Sequence, residues 1–186
     1  MFNILAKGRL MQVHADTPSM SNGLPFMLEM DVDVAEFSSD WGNCDLMSTY
    51  VSKMVSTDRT DSLLFANLYS SAVNELFETA FRVHGENGSL VCKFFRNGNL
   101  DRVELSIPAN DAVADFYAAA IERTAAPNAN EAYLNILFQS DAIDPALGLL
   151  ELVLNYGAAL QLREDKQNQR VCIVAEFQLE ETATKS

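Results

Sequence analysis

The chain is short of the residues that most often announce a chemistry. Its two histidines, His14 and His84, stand alone, and its three cysteines, Cys44, Cys92 and Cys172, are widely spaced, odd in number and without a C-x-x-C pair. That leaves no material for a Ser-His-Asp triad, a Cys/His metal cluster or a paired disulfide framework, and buried reduced thiols in a cytoplasmic protein are the simplest account. No G-x-S-x-G, H-E-x-x-H or G-x-x-x-x-G-K-[ST] run occurs. Positive charge is scarce too: 13 Lys and Arg face 26 Asp and Glu, a formal net charge of −13. Such a surface repels phosphate backbones and anionic lipid, so nucleic acid and bare membranes are excluded as partners, and it adds repulsion against ATP. No stretch approaches the roughly 18 apolar residues of a membrane span, and the opening MFNILAKGRLMQV lacks the apolar core and cleavage pattern of a signal peptide. The expectation is a soluble, unprocessed chain.

What is present suits one compact α/β domain, since 186 residues at 48% hydrophobic and 21% charged can bury a substantial core. Residues 1–25 read as an N-terminal extension, mobile or strand-forming at its start and polar and turn-rich over 17–25, and residues 180–186 as a frayed tail. Between them, 26–34 alternates apolar and polar residues as a strand does, and 38–56 reads as a helix capped by Ser39 or Asp40. A long helix follows over 61–84. Segments 89–96 and 101–107 form a hairpin around Asn97-Gly98-Asn99, because Asn-Gly accepts the positive φ of a tight turn. Helices over 111–123 and 130–140 come next, then one over 147–156 bounded by Pro145 and Gly157, then strands over 158–164 and 170–179. Helices on one face of a mixed, mostly antiparallel sheet, an α/β sandwich, is the economical architecture. Asp31 and Asp33 share a strand face, where a solvated edge is the plain reading and a bound cation the sharper one.

The long helix is the most informative stretch. Leu64 or Phe65, Leu68 or Tyr69, Ala72, Val73, Leu76, Ala80 and Val83 recur at three and four residues and define a core-facing stripe. Asn74, Glu75 and Glu78 sit among them, and helical rotation brings Glu75 and Thr79 to one edge, a turn apart. The middle helical pair carries Phe116, Tyr117, Ile121, Tyr133, Ile136, Leu137 and Phe138 at helical spacing, enough apolar surface to dock. Asn110, placed just before DAVADF, reads as a helix cap.

Asn74 to Arg82, NELFETAFR, resembles the N-box of the GHKL ATPase superfamily, which includes histidine kinases and anti-sigma-factor serine kinases and whose fold is the Bergerat α/β sandwich. The likeness extends to Leu147-Gly148-Leu149-Leu150, where the superfamily carries G-x-G-L-G-L, and to Trp41-Gly42-Asn43-Cys44-Asp45-Leu46 through Tyr50. It covers about residues 26–179, in the order of elements set out above. It implies that Glu75 occupies the place of the glutamate that polarises the attacking water and that Thr79 stands where an asparagine ligates Mg²⁺. A hydroxyl one bond shorter than a carboxamide does not supply that ligand in near-octahedral geometry. The glycines ahead of Leu147 are replaced by Asp144-Pro145-Ala146, which removes an amide donor and resists positive φ. No D-x-G-x-G follows the central strand, leaving Asn110 or Asp111 as the polar residues at the adenine position.

The resemblance therefore implies a vestigial ATP cleft built from Glu75, Thr79, Asn110, Asp111, Leu147 and Gly148, with no metal and no resident cofactor. Glu75 and Thr79 are expected to face a pocket bounded by the Gly148 turn and the 107–111 loop. The implied function is a non-catalytic regulator of bacterial partner-switching signalling, binding a STAS-domain protein in a circuit with a metal-dependent serine phosphatase. The alternative is a divergent ATP- and Mg²⁺-dependent serine kinase with Glu75 as base.

Overall fold

The structure is a computed structural model that describes residues 2–6, 9–14, 24–57, 59, 61–139 and 144–179. Strands β1 (Phe2–Ala6), β2 (Arg9–His14) and β3 (Phe26–Asp33) open the chain, followed by helices α1 (Val34–Phe37), α2 (Gly42–Val55) and α3 (Ser62–Arg82). The hairpin β4 (Ser89–Asn97) and β5 (Leu100–Pro108) leads to α4 (Asp111–Ala125), α5 (Ala129–Gln139) and α6 (Leu147–Tyr156). Strands β6 (Ala159–Asp165) and β7 (Arg170–Phe177) end the described fold. The expected strand-forming start lies in β1 and β2, whereas most of the turn-rich 17–25 stretch and the 180–186 tail lie outside the described residues.

The sheet runs β1-β2-β3-β4-β5-β7-β6. Every strand pairing among the described residues is antiparallel, which corrects the mixed sheet expected from the sequence. The reason lies in the return path: after α4 to α6 the chain re-enters as the hairpin β6-β7, and its second strand lies beside β5 in the opposite sense. The turn of the β4-β5 hairpin carries Gly98 at φ 60°, as Asn-Gly predicted.

Sheet and helices share one core. Leu28, Met30, Leu90, Cys92, Phe94, Val103, Leu105, Ile107, Val171, Ile173 and Phe177 from the strands meet Phe37, Val51, Phe65, Tyr69, Leu76, Phe77, Tyr117 and Leu149 from the helices. Strand residues of alternate parity point away from it and form charged rungs, Lys93 with Glu29 at 3.1 Å and Arg163 with Glu104 at 3.2 Å. Adjacent residues thus sort to opposite faces and residues spaced by two share one, and the helices lie on one of those faces. At the far end of the sheet the buried carboxylate of Asp101 is held by Arg96 at 2.6 Å and Arg59 at 3.3 Å. Arg96 also donates to the Val55 carbonyl, tying the end of α2 to β4.

Asp33, the last residue of β3, also caps α1 by accepting from the amides of Ala35 and Glu36. The helix expected over 38–56 begins only at Gly42, as α2, where the Gly42 amide donates to Asp40 Oδ1. No described helix is long and apolar enough to cross a membrane.

Candidate functional site

Helix α3 starts where Asp61 accepts the Leu64 amide and buries Phe65, Tyr69, Ala72, Val73, Leu76, Phe77 and Ala80 against the sheet. With that stripe fixed, helical geometry sorts the polar residues of NELFETAFR onto two flanks. On one, Asn74 Nδ2 donates to Glu78 at 2.7 Å and Arg82 bonds Glu78 at 3.2 Å, while the Arg82 guanidinium lies over Trp41. On the other, Glu75 and Thr79 face α6.

The contact between α3 and α6 is close. A Cβ added to Gly148 would fall 2.8 Å from the Glu75 carbonyl oxygen, 2.8 Å from Thr79 Oγ1 and 3.0 Å from Glu75 Oε2. Only glycine lets the helix backbones approach to this distance. Thr79 is 1% exposed, and its hydroxyl donates to the Glu75 carbonyl at 2.9 Å. Packed against Gly148, the hydroxyl has no access to solvent.

At the head of α6 the amides of Ala146, Leu147, Leu149 and Leu150 have partners within the chain. The Ala146 amide donates to Asp144 Oδ1 at 2.8 Å, that of Leu147 to the Asp144 carbonyl, and those of Leu149 and Leu150 to the Ala146 carbonyl. Asp144 also pairs with Arg123 of α4 at 2.9 Å. A carboxylate of the chain itself therefore sits where the amides and dipole of a helix N-terminus attract an anion.

Of the residues expected together, the structure brings Glu75, Thr79, Leu147 and Gly148 to one helix crossing. Asn110 and Asp111 are exposed at the head of α4, where Asn110 Oδ1 accepts the Val113 amide at 3.0 Å as an N-cap. Two clefts bounded by described residues lie elsewhere. One, about 360 Å³, runs between α2 and α3 along Ser52, Lys53, Thr57, Leu63 and Asn67. The other, about 380 Å³, lies on the open sheet face beside Lys93, Glu104, Arg163 and Arg170.

Sequence reasoning missed the partners of Glu75. Burial, then the neighbouring charge of Glu151 and Glu78, pushes its carboxyl from 4.5 up to about 7, and it hydrogen-bonds Glu151 of α6. Tyr133 of α5 donates to Glu151 at 3.1 Å and is hydrogen-bonded to Asn155, while Tyr156 bonds Ser71 of α3. One signal was available: Glu151 follows Gly148 by three residues on a helix and shares its face.

The middle helical pair divides. Helix α4 is docked by Tyr117, which is buried and donates to the Val83 carbonyl at 2.9 Å, with Phe116 and Ile121 packed at the core margin. Helix α5 leaves Leu134, Leu137 and Phe138 exposed, the last at 80%. The thiols are poor nucleophiles at neutral pH, because burial pushes Cys44 up to about 12 and Cys172 up to about 11. Among the described residues no group of three His, Cys, Asp or Glu could hold a metal ion. Compared with protein-family models, curated proteins and solved structures, the chain matches none.

Proposed function

We propose that this chain is a non-catalytic regulator of bacterial partner-switching signalling, with a degenerate GHKL-type sandwich, acting in the cytoplasm by binding a STAS-domain protein. A metal-dependent serine phosphatase completes the circuit in this reading. The observation that carries it is the direct contact of Gly148 with Glu75 and Thr79, which leaves no room for a hydrated Mg²⁺ and a phosphate chain between α3 and the head of α6. The Asp144 carboxylate, which accepts the Ala146 amide just ahead of α6, supports it by placing a negative charge beside that head. The order β3, α2, α3, hairpin, α4 and α5, α6 and two strands is compatible with the order the resemblance implies, with β1, β2 and the short α1 in addition. The exposed Leu134, Leu137 and Phe138 supply apolar contact area next to the crossing.

A second reading, the divergent serine kinase, draws on one observation: Glu75 titrates near neutrality, as a general base does. Mixing the chain with a STAS-domain protein of the same host and Mg-ATP, then weighing the STAS protein, separates the two. A complex with no added mass supports the regulator, a gain of one phosphate demands the kinase, and absence of any complex at micromolar concentration removes both.

A further inference from the structure

We propose that Glu75 and Glu151 form a proton-operated latch that holds α5 and α6 against α3, closed while the two carboxyls share a proton and loosened when that proton leaves. The inference stands independently of the partner-switching reading, because it concerns how three helices of this chain are held together.

Its geometry is a relay across three elements. Glu75 of α3 is hydrogen-bonded to Glu151 of α6, and Glu151 in turn accepts from Tyr133 of α5 at 3.1 Å. The helix axes cannot separate slightly to relieve repulsion while keeping their contacts, because Gly148 already rests on the Glu75 carbonyl and Thr79 Oγ1. Two unprotonated carboxylates at that crossing must either remain pressed together or part. Helix α5 contributes Ala129 to the buried set and leaves Leu134, Leu137 and Phe138 exposed. The polar bonds of Tyr133 to Glu151 and Asn155 tie it to α6.

The charges around the pair do not neutralise it. From α3, Glu78 adds repulsion and Arg82 offsets only part of it, since Arg82 is already bonded to Glu78 and stacked on Trp41. From α6 and α5 come the neutral phenols of Tyr156 and Tyr133, and the nearest cation of α4, Arg123, is paired with Asp144 at the other end of α6. The sign follows from linkage. In the opened state Glu75 is solvated and titrates near its ordinary 4.5, whereas in the closed state it titrates near 7. Opening thus releases a proton between those values, so it is favoured as pH rises through that window and levels off above it.

Hydrogen exchange followed by mass spectrometry on the full chain at about pH 5.5 and 7.5, corrected for the chemical pH dependence of exchange, tests this. The expected result is roughly twentyfold more opening of the 129–139 and 144–156 helices at the higher pH, with the 89–108 hairpin unchanged. Glu75→Gln, which keeps a hydrogen bond to Glu151 without a titrating proton, should abolish the difference. Glu151→Gln should reduce it without abolishing it, because burial still raises the Glu75 carboxyl, and serves if the first variant does not fold. Equal corrected protection of those helices at both pH values, an equal change in the hairpin, a difference that survives in a folded Glu75→Gln protein, or an undiminished one in Glu151→Gln would overturn the latch.

Discussion

Gly148 and Thr79 are separated by so little space that a methyl group on the glycine would lie 2.8 Å from the threonine hydroxyl oxygen. The same methyl would meet the Glu75 carbonyl oxygen at 2.8 Å, and backbone of a long buried helix does not move aside cheaply. Gly148→Ala should therefore destabilise the fold by about 1–3 kcal/mol, although alanine is the better helix former by itself. Chemical denaturation measures it, and an unchanged midpoint would show that the crossing is looser than described.

Replacing Thr79 by the asparagine of the N-box is a sharper test of the same crossing. The larger carboxamide has no space beside Gly148, and burial without full hydrogen bonding adds a further cost. Thr79→Asn should lose about 1–3 kcal/mol and gain no Mg-ATP binding. A stable Thr79→Asn protein that binds Mg-ATP would show that one substitution separates this chain from an active site.

Glu75 should titrate with a midpoint near 7, followed through its side-chain carboxyl carbon by NMR. Because the folded value is raised above 4.5, the linked stability is fully present in acid and is lost as pH rises from about 4.5 to about 7. A midpoint between 4 and 5 would mean that neither burial nor Glu151 acts on it.

Asp101 tests the other end of the sheet. Its carboxylate is fully buried between Arg96 and Arg59, so Asp101→Ala removes a buried charge with which both guanidinium groups pair. The expected loss is about 3–5 kcal/mol, against a fraction of that for the more exposed pair Arg163 and Glu104. Thermal melts of the two variants, compared side by side, decide it.

Local pattern carried most of the fold. The stripe of α3, the Asn-Gly turn, and the apolar run of α6 between Pro145 and Gly157 each encode an element within a few residues, and the observed elements follow them closely. Asp33 ends β3 as expected, and its second task, capping the next helix, is not visible in the sequence until the chain turns. Helix α5 shows a different limit: the spacing of Tyr133, Ile136, Leu137 and Phe138 defines a stripe but not whether anything covers it. The pairing of Glu75 with Glu151 is made by tertiary packing between helices distant in sequence, and only the face that Glu151 shares with Gly148 hints at it.

Calorimetric titration of the chain with ATP, in the presence and absence of Mg²⁺, tests the central claim most directly. With Glu75 and Thr79 packed directly against Gly148 and the Asp144 carboxylate beside the head of α6, no saturable heat is expected up to about 1 mM nucleotide. Binding at tens of micromolar that requires Mg²⁺ would contradict the account and make the chain a working nucleotide site.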